Sequence, residues 1–269
     1  MHPLHAALLG ILEGLTEFLP VSSTGHLILL GESLGHTDDA AKTLEIAIQA
    51  GAVLAVIVYY RALLLDLVRG VLRRDPEQVR VVLALLIAFL PAAAVGFLLH
   101  GLVKERLMGA VPVAAALIVG GLIMIVMPFL LPRRADAEEE TLRAVTPRRA
   151  LLIGVCQCAA LWPGFSRSMS TIVGGQMAGL RPSTAAQFSF LLSIPVLGSA
   201  TALDLYKNGD ALFATEGGAL ALGIGLVTAF IVSLAVIAVF LRYLNKFGLA
   251  PFGYYRIALG ILVLVLARG

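Results

Sequence analysis

Six stretches of this chain stay apolar for about the length that crosses a bilayer: 42–64, 79–100, 110–131, 183–206, 217–242 and 249–267. A helix rises about 1.5 Å per residue, so roughly 20 residues match about 30 Å of hydrocarbon. Only 14% of the residues are charged, against about 25% in a soluble domain. Most side chains must therefore face something apolar, and the expected fold class is an all-α integral membrane protein. The apolar N-terminal segment runs into polar residues with no small-residue cleavage site, so it is expected to stay on the chain. Net charge is +3, and the basic residues sit in short loops without interleaved aromatics. That pattern argues against a nucleic-acid partner.

Two more apolar stretches are interrupted. Residues 4–34 read as helix to Leu19, then a polar break from Pro20 to His26, then helix again. Residues 150–180 read as helix to Leu161, a break through Trp162–Ser168, and a second helix. Each half is too short to cross, so each stretch is expected to be a re-entrant hairpin, its irregular backbone buried in protein or lining a watery cavity. The breaks lie 143–144 positions apart, and Ala40–Lys42 pairs with Ala185–Gln187 at a similar offset. The chain thus reads as two repeats, about 1–132 and 147–269, joined by a charged cytoplasmic linker over 133–146. Glu138, Glu139 and Glu140 are read as a solvated part of that linker. Each repeat is one hairpin plus three spans. Three is odd, so the second repeat is inverted relative to the first.

Charge orients this arrangement. Thirteen Lys and Arg residues fall on one face, Arg61, Arg73, Arg133 and Arg148 among them, against five on the other. The richer face is cytoplasmic, which puts both termini outside. Eight full crossings, with both hairpins spanning, are the alternative.

Ionisable residues inside apolar segments are expensive and mark candidate chemistry. Glu13 and Glu17, four apart, share a helix face. Two carboxylates there repel unless a proton or cation lies between them, and hard oxygen ligands suit Mg²⁺ or Ca²⁺. Ser22, Ser23 and Thr24 open a new helix, where exposed N–H groups favour an anion. His26, three residues after Ser23, is a candidate acid–base group. In the second break Arg167 adds a cation with a forked geometry for phosphate oxygens, flanked by Ser166, Ser168, Ser170 and Thr171. Gln157, Glu45, Gln49 and Arg256 are weaker candidates, equally well explained by hydrogen bonds between helices. Cys156 and Cys158 lack further ligands nearby and read as small buried hydrophobes. The residues together describe an intramembrane oxyanion site suited to phosphoryl transfer on a lipid.

At these residues the chain resembles the bacitracin-resistance family of undecaprenyl-diphosphate phosphatases. One shared motif is Glu13-Gly-Leu-Thr-Glu17 running on to Pro20-Val-Ser-Ser-Thr-Gly-His26. The other is Pro163-Gly-Phe-Ser166-Arg167-Ser168-Met-Ser-Thr171. The resemblance implies hydrolysis of undecaprenyl diphosphate, which recycles the lipid carrier for peptidoglycan synthesis and confers bacitracin resistance. It places the protein in the bacterial inner membrane, with the site opening to the extracytoplasmic side. In this reading Ser23 is the nucleophile or positions it, and Glu17 activates it or holds the metal with Glu13. His26 protonates the leaving phosphate or assists attack, and Arg167, Ser166 and Thr171 clamp the diphosphate, with Ser22, Thr24 and Ser168 as further contacts. The expected partners are a polyprenyl diphosphate and the membrane; a homodimer is an allowed assembly. Inverted repeats with broken helices also suit a polyprenyl-phosphate transporter or flippase, the rival reading.

Overall fold

The structure is a computed structural model and describes residues 2–36, 38–107, 109–131 and 141–267. The acidic run Glu138–Glu140 lies outside the described residues. Among those described there are helices and no strands: α1 Pro3–Thr16, α2 Ser23–Ser33, α3 Asp39–Ala47, α4 Gln49–Tyr59, α5 Arg61–Leu72, α6 Pro76–Arg106, α7 Ala110–Leu130, α8 Pro147–Gln157, α9 Arg167–Met177, α10 Pro182–Ala214, α11 Gly218–Phe247 and α12 Ala250–Leu266. Short 3₁₀ turns cover Leu142–Ala144 and Cys158–Leu161.

Five stretches are long and apolar enough to cross a membrane: Asp39–Tyr59 (α3 with α4), Pro76–Leu99 within α6, α7, α10 and α11. The chain is a multi-pass membrane protein. Bulky apolar side chains such as Phe97, Phe129 and Leu98 stand almost fully exposed, as a lipid-facing surface requires. Two expected spans differ in detail. The first stops at Tyr59, because Arg61 opens a separate helix in which Asp66 and Arg69 interrupt the apolar side chains. The last, α12, has 17 residues, about 25 Å of helix and slightly less than the hydrocarbon thickness.

Both interrupted stretches fold as helix–break–helix, and they start alike. In each, proline occupies the first helical turn, where no N–H is needed. The His2 side chain caps α1 and the Thr146 hydroxyl caps α8. Likenesses recur 144 positions apart. Ser22 and Ser166 both have positive φ, 74° and 76°, as do Gly35 and Gly179, 75° and 81°.

The chain divides into two compact units that interleave along the sequence. Met1–Leu19, Ser23–Arg61 and Ser193–Phe240 form the first; Pro20–Ser22, Ala62–Leu192 and Leu241–Gly269 form the second. The first is built around Ala6, Leu9, Leu27, Leu44, Ile48, Leu212 and Ala221. In it, Gly10 and Gly14 let α1 lie directly on the backbone of α11. At its edge, His5 Nδ1 is 2.7 Å from His36 Nε2. In the second, α7 and α12 cross where Gly121 and Gly253 meet: a Cβ on Gly121 would lie 2.7 Å from the Gly253 carbonyl oxygen. Small residues at helix crossings replace the hydrophobic drive that lipid abolishes. Cys156 and Cys158 are free thiols and only partly buried, less than expected, since Cys156 lies in the last turn of α8 and Cys158 opens the 3₁₀ turn that follows it.

Two predictions follow from this packing. Gly121→Val should destabilise the folded protein by about 1–3 kcal/mol, the usual cost of overpacking, and lower Tm in detergent. Gly223→Ala, where a Cβ meets no atom within 4 Å, should leave Tm unchanged or slightly raised. The second concerns His36, between α2 and α3. Burial, and then the neighbouring His5 ring, hold its imidazole pKa below the ordinary value of 6.5, against a smaller opposing pull from Asp38. A lowered histidine pKa means the fold prefers the neutral ring. The contact should therefore hold above pH 6.5 and weaken as pH falls through the lowered value. Faster amide exchange at Leu34–His36 in acid, absent in His36→Asn, would report it.

Candidate active site

The first break follows α1. Glu13 is fully buried in the last turns of α1, and Glu17 is its C-cap residue, with its N–H donating to the Glu13 carbonyl at 2.9 Å. The chain turns through Leu19–Ser22 and re-enters helix at Ser23. The Ser23 hydroxyl donates to Glu17 Oε2 at 2.6 Å, a buried contact. Bonds this short between a hydroxyl and a carboxylate are charge-assisted. His26 is buried in the first turn of α2, and Thr24 beside it is partly exposed. A nucleophile in hydrogen-bond contact with a base is the arrangement that activates a hydroxyl.

The second break joins α8 to α9. Gly164 has φ +92°, and a Cβ there would lie 2.6 Å from the Val113 carbonyl oxygen, so both conformation and space demand glycine. Trp162 Nε1 donates to the Pro112 carbonyl at 3.0 Å, anchoring the turn to the start of α7. Ser166 caps α9: its hydroxyl accepts from the Met169 N–H at 3.3 Å and lies 3.1 Å from the Ser168 hydroxyl. Arg167 Nη1 donates to the Ser189 carbonyl at 2.9 Å and contacts its hydroxyl at 3.4 Å. Thr171 and Ser189 hydroxyls are 2.6 Å apart. The Thr171 hydroxyl also lies within hydrogen-bond reach of the Arg167 carbonyl.

Ser189 was not among the sequence candidates. It sits between Phe188 and Phe190 in an apolar helix, where a lone serine is unremarkable. Its signal was its repeat relation to the intramembrane acid Glu45, 144 positions earlier. Ser170, by contrast, spends its hydroxyl on the Ser166 carbonyl at 2.8 Å and supports the turn.

Ser22 and Ser166 hold φ values that L-residues avoid. Such positions cost about 1–3 kcal/mol each and persist where the surroundings fix them. Part of that fixing comes from Arg256 on α12. It is fully buried and donates to carbonyls of both breaks: Pro20 at 3.2 Å, Phe165 at 2.9 Å and Gly164 at 2.8 Å. Its remaining donors reach Ala116 at 3.0 Å and Leu117 at 3.3 Å on α7.

Glu13 and Glu17 are the carboxylates that could take part in holding a divalent cation. Among the described residues no group of three or more His, Cys, Asp and Glu side chains is placed to hold an ion. Two carboxylates alone would leave most positions of a Mg²⁺ or Ca²⁺ to phosphate oxygens and water.

This is a multi-pass helical membrane protein with a hydroxyl–carboxylate pair in one buried break and, at a helix start in the other, an Arg–hydroxyl cluster of the kind that can bind oxyanions. The particular family follows from comparison with known proteins: residues 6–262 match the model of the bacitracin resistance protein BacA family, and the chain belongs to it. Among similar proteins is an undecaprenyl-diphosphatase of Sorangium cellulosum (strain So ce56), 63% identical over 96% of this chain and 84% of the relative. An undecaprenyl-diphosphatase of Methylobacillus flagellatus is 46% identical over 97% of this chain and 96% of its own. One from Thermoanaerobacter sp. (strain X514) is 43% identical over 97% and 95%.

Binding of inorganic pyrophosphate to the detergent-solubilised protein should separate these contacts. Arg167→Ala should weaken it about 10–100-fold, the worth of a charged hydrogen bond. Ser189→Ala keeps the carbonyl that Arg167 uses and should weaken it less, about 3–10-fold. Isothermal titration of both variants checks the ranking.

Proposed function

We propose that this protein hydrolyses undecaprenyl diphosphate to undecaprenyl phosphate and inorganic phosphate. The observation that carries the reading is the 2.6 Å hydrogen bond from Ser23 to Glu17, in a chain whose relatives bear the name undecaprenyl-diphosphatase. A hydroxyl is a weak nucleophile until a base takes its proton, and Glu17 is in place to take it.

The reaction then runs in two displacements. Ser23 Oγ bonds to the terminal phosphorus and its proton passes to Glu17. The bond from that phosphorus to the bridging oxygen breaks, and undecaprenyl phosphate leaves with a proton from His26. Water then attacks the phosphoserine and releases inorganic phosphate. Arg167, Ser166, Ser168 and Thr171 would bind phosphate oxygens at the start of α9, with Ser22 and Thr24 adding contacts at the first break. Fixed donors aimed at developing charge supply most of the rate in such reactions. Glu13, or Glu13 with Glu17 where Glu17 is not the base, would hold a divalent cation, Mg²⁺ or Ca²⁺, which would neutralise phosphate charge when bound.

The same reading makes the protein an inner-membrane enzyme that recycles the cell-wall lipid carrier, so that raised levels confer bacitracin resistance. The excess of Lys and Arg on one face supports termini outside the cytoplasm, and we propose that the site opens to that extracytoplasmic side. The recurrence of capped prolines and positive-φ serines 144 positions apart supports two repeats, inverted as three spans per repeat demand.

Purified protein in detergent with Mg²⁺ should release phosphate from undecaprenyl diphosphate. No release by the wild type would sink the reading, and lipid transport in vesicles without hydrolysis would favour a flippase. Ser23→Ala should slow release about 10²–10⁴-fold. Acid quench should trap phosphate on Ser23; phosphate on His26, or on no residue, would reassign the attack to His26 or water.

A further inference from the structure

Arg256 has no part in the chemistry just described, yet it is the largest fully buried side chain of the described residues. A guanidinium has five N–H donors. Here all five go to backbone carbonyls: Nε to Leu117, Nη1 to Pro20 and Phe165, Nη2 to Ala116 and Gly164. None goes to a carboxylate. An Arg inside a membrane protein is expensive, and it pairs with an acid, with water or with backbone carbonyls. This one spends every donor on carbonyls, so what it holds is backbone.

Its partners show which backbone. Pro20 lies two residues before Ser22, and Phe165 immediately precedes Ser166, the two serines with positive φ. Carbonyls in a break have no helical N–H to accept from, and none can be left unpaired in hydrocarbon. One rigid planar group serves three of them at once, fixing the direction in which each break leaves its turn. The packing makes room for it specifically. A Cβ on Gly120 would lie 2.8 Å from the guanidinium carbon Cζ. The guanidinium thus packs directly on the Gly120 backbone, where any side chain would collide with it.

We infer that Arg256 is a positioning residue for the phosphatase reaction: it pins the backbone of both breaks so that Ser22–Ser23 and Ser166–Arg167 keep the conformation in which they act. The inference rests on the proposed hydrolysis. It adds a second expectation: a positive charge without an acid partner, held beside both breaks, favours occupation by an anion such as the diphosphate.

The test compares kcat and KM in detergent, with undecaprenyl diphosphate and Mg²⁺, for wild type, Arg256→Lys and Gly120→Ala. Only protein that elutes as a monodisperse peak and unfolds cooperatively is assayed. Lysine keeps the charge but has three donors and no plane. Arg256→Lys should lower kcat about 10–100-fold with KM within about threefold, the signature of displaced groups rather than lost binding. Gly120→Ala leaves Arg256 in the chain but pushes on its guanidinium, and should lower kcat in the same direction by about 3–30-fold. It keeps the proposal testable if Arg256→Lys does not fold. Arg256→Gln, which removes the charge as well, should also weaken inorganic pyrophosphate binding by about tenfold. A lowered Tm in Arg256→Lys or Gly120→Ala with wild-type kcat per folded molecule would make Arg256 a purely structural residue and overturn the proposal. Absence of phosphate release by the wild type would instead strike the proposed function.

Discussion

Backbone that leaves the helix inside a membrane must find partners for its polar groups, and everything notable here is arranged around that demand. A carbonyl unpaired in hydrocarbon costs several kcal/mol. Two breaks multiply the problem. The solution at Pro20, Gly164 and Phe165 is the single side chain of Arg256, supplemented by Trp162 on the Pro112 carbonyl. The close helix crossings serve the same end. Gly121 against Gly253 brings α12 near enough to α7 for Arg256 to reach the Ala116 and Leu117 carbonyls as well.

Once the breaks are held, their chemistry follows from residue type. The first offers a hydroxyl bonded to a carboxylate, with a second carboxylate one turn back and a histidine one turn on. The second offers a helix start, a cap and a guanidinium steadied by Ser189. Neither set resembles a solvent-exposed active site. Burial strengthens each electrostatic contact, and it makes each misplaced one costly. The same low dielectric explains why the supporting residues, Ser189 and Ser170, spend their hydroxyls on fixed partners.

Much of this was readable from the residues. Charged and hydroxyl groups in apolar segments are conspicuous, so the sequence alone marks Glu13, Glu17, Ser23, His26 and Arg167. That Glu17 serves Ser23 was implied by the family resemblance, and the 2.6 Å hydrogen bond is what the structure adds. What stayed hidden depends on tertiary distance. Ser189 is ordinary in a transmembrane helix until Thr171 and Arg167 are seen beside it. Arg256 was ranked evenly between helix packing and function, because nothing in its neighbourhood of sequence names carbonyls 91 and 236 residues away. Span ends were blurred for a local reason: the apolar run through Tyr59 and Tyr60 continues past Arg61 in hydropathy, while the helix does not.

The twin serines carry a consequence for how such a protein can change. Glycine would occupy either position at no conformational cost, and the chain already uses glycine for the other left-handed turns of the two hairpins, Gly35, Gly164 and Gly179. Serine at Ser22 and Ser166 therefore represents a hydroxyl retained against local preference. Drift toward the more comfortable residue would relieve the backbone and lose the hydroxyl. Purely stability-driven engineering of this fold would remove these two hydroxyls first.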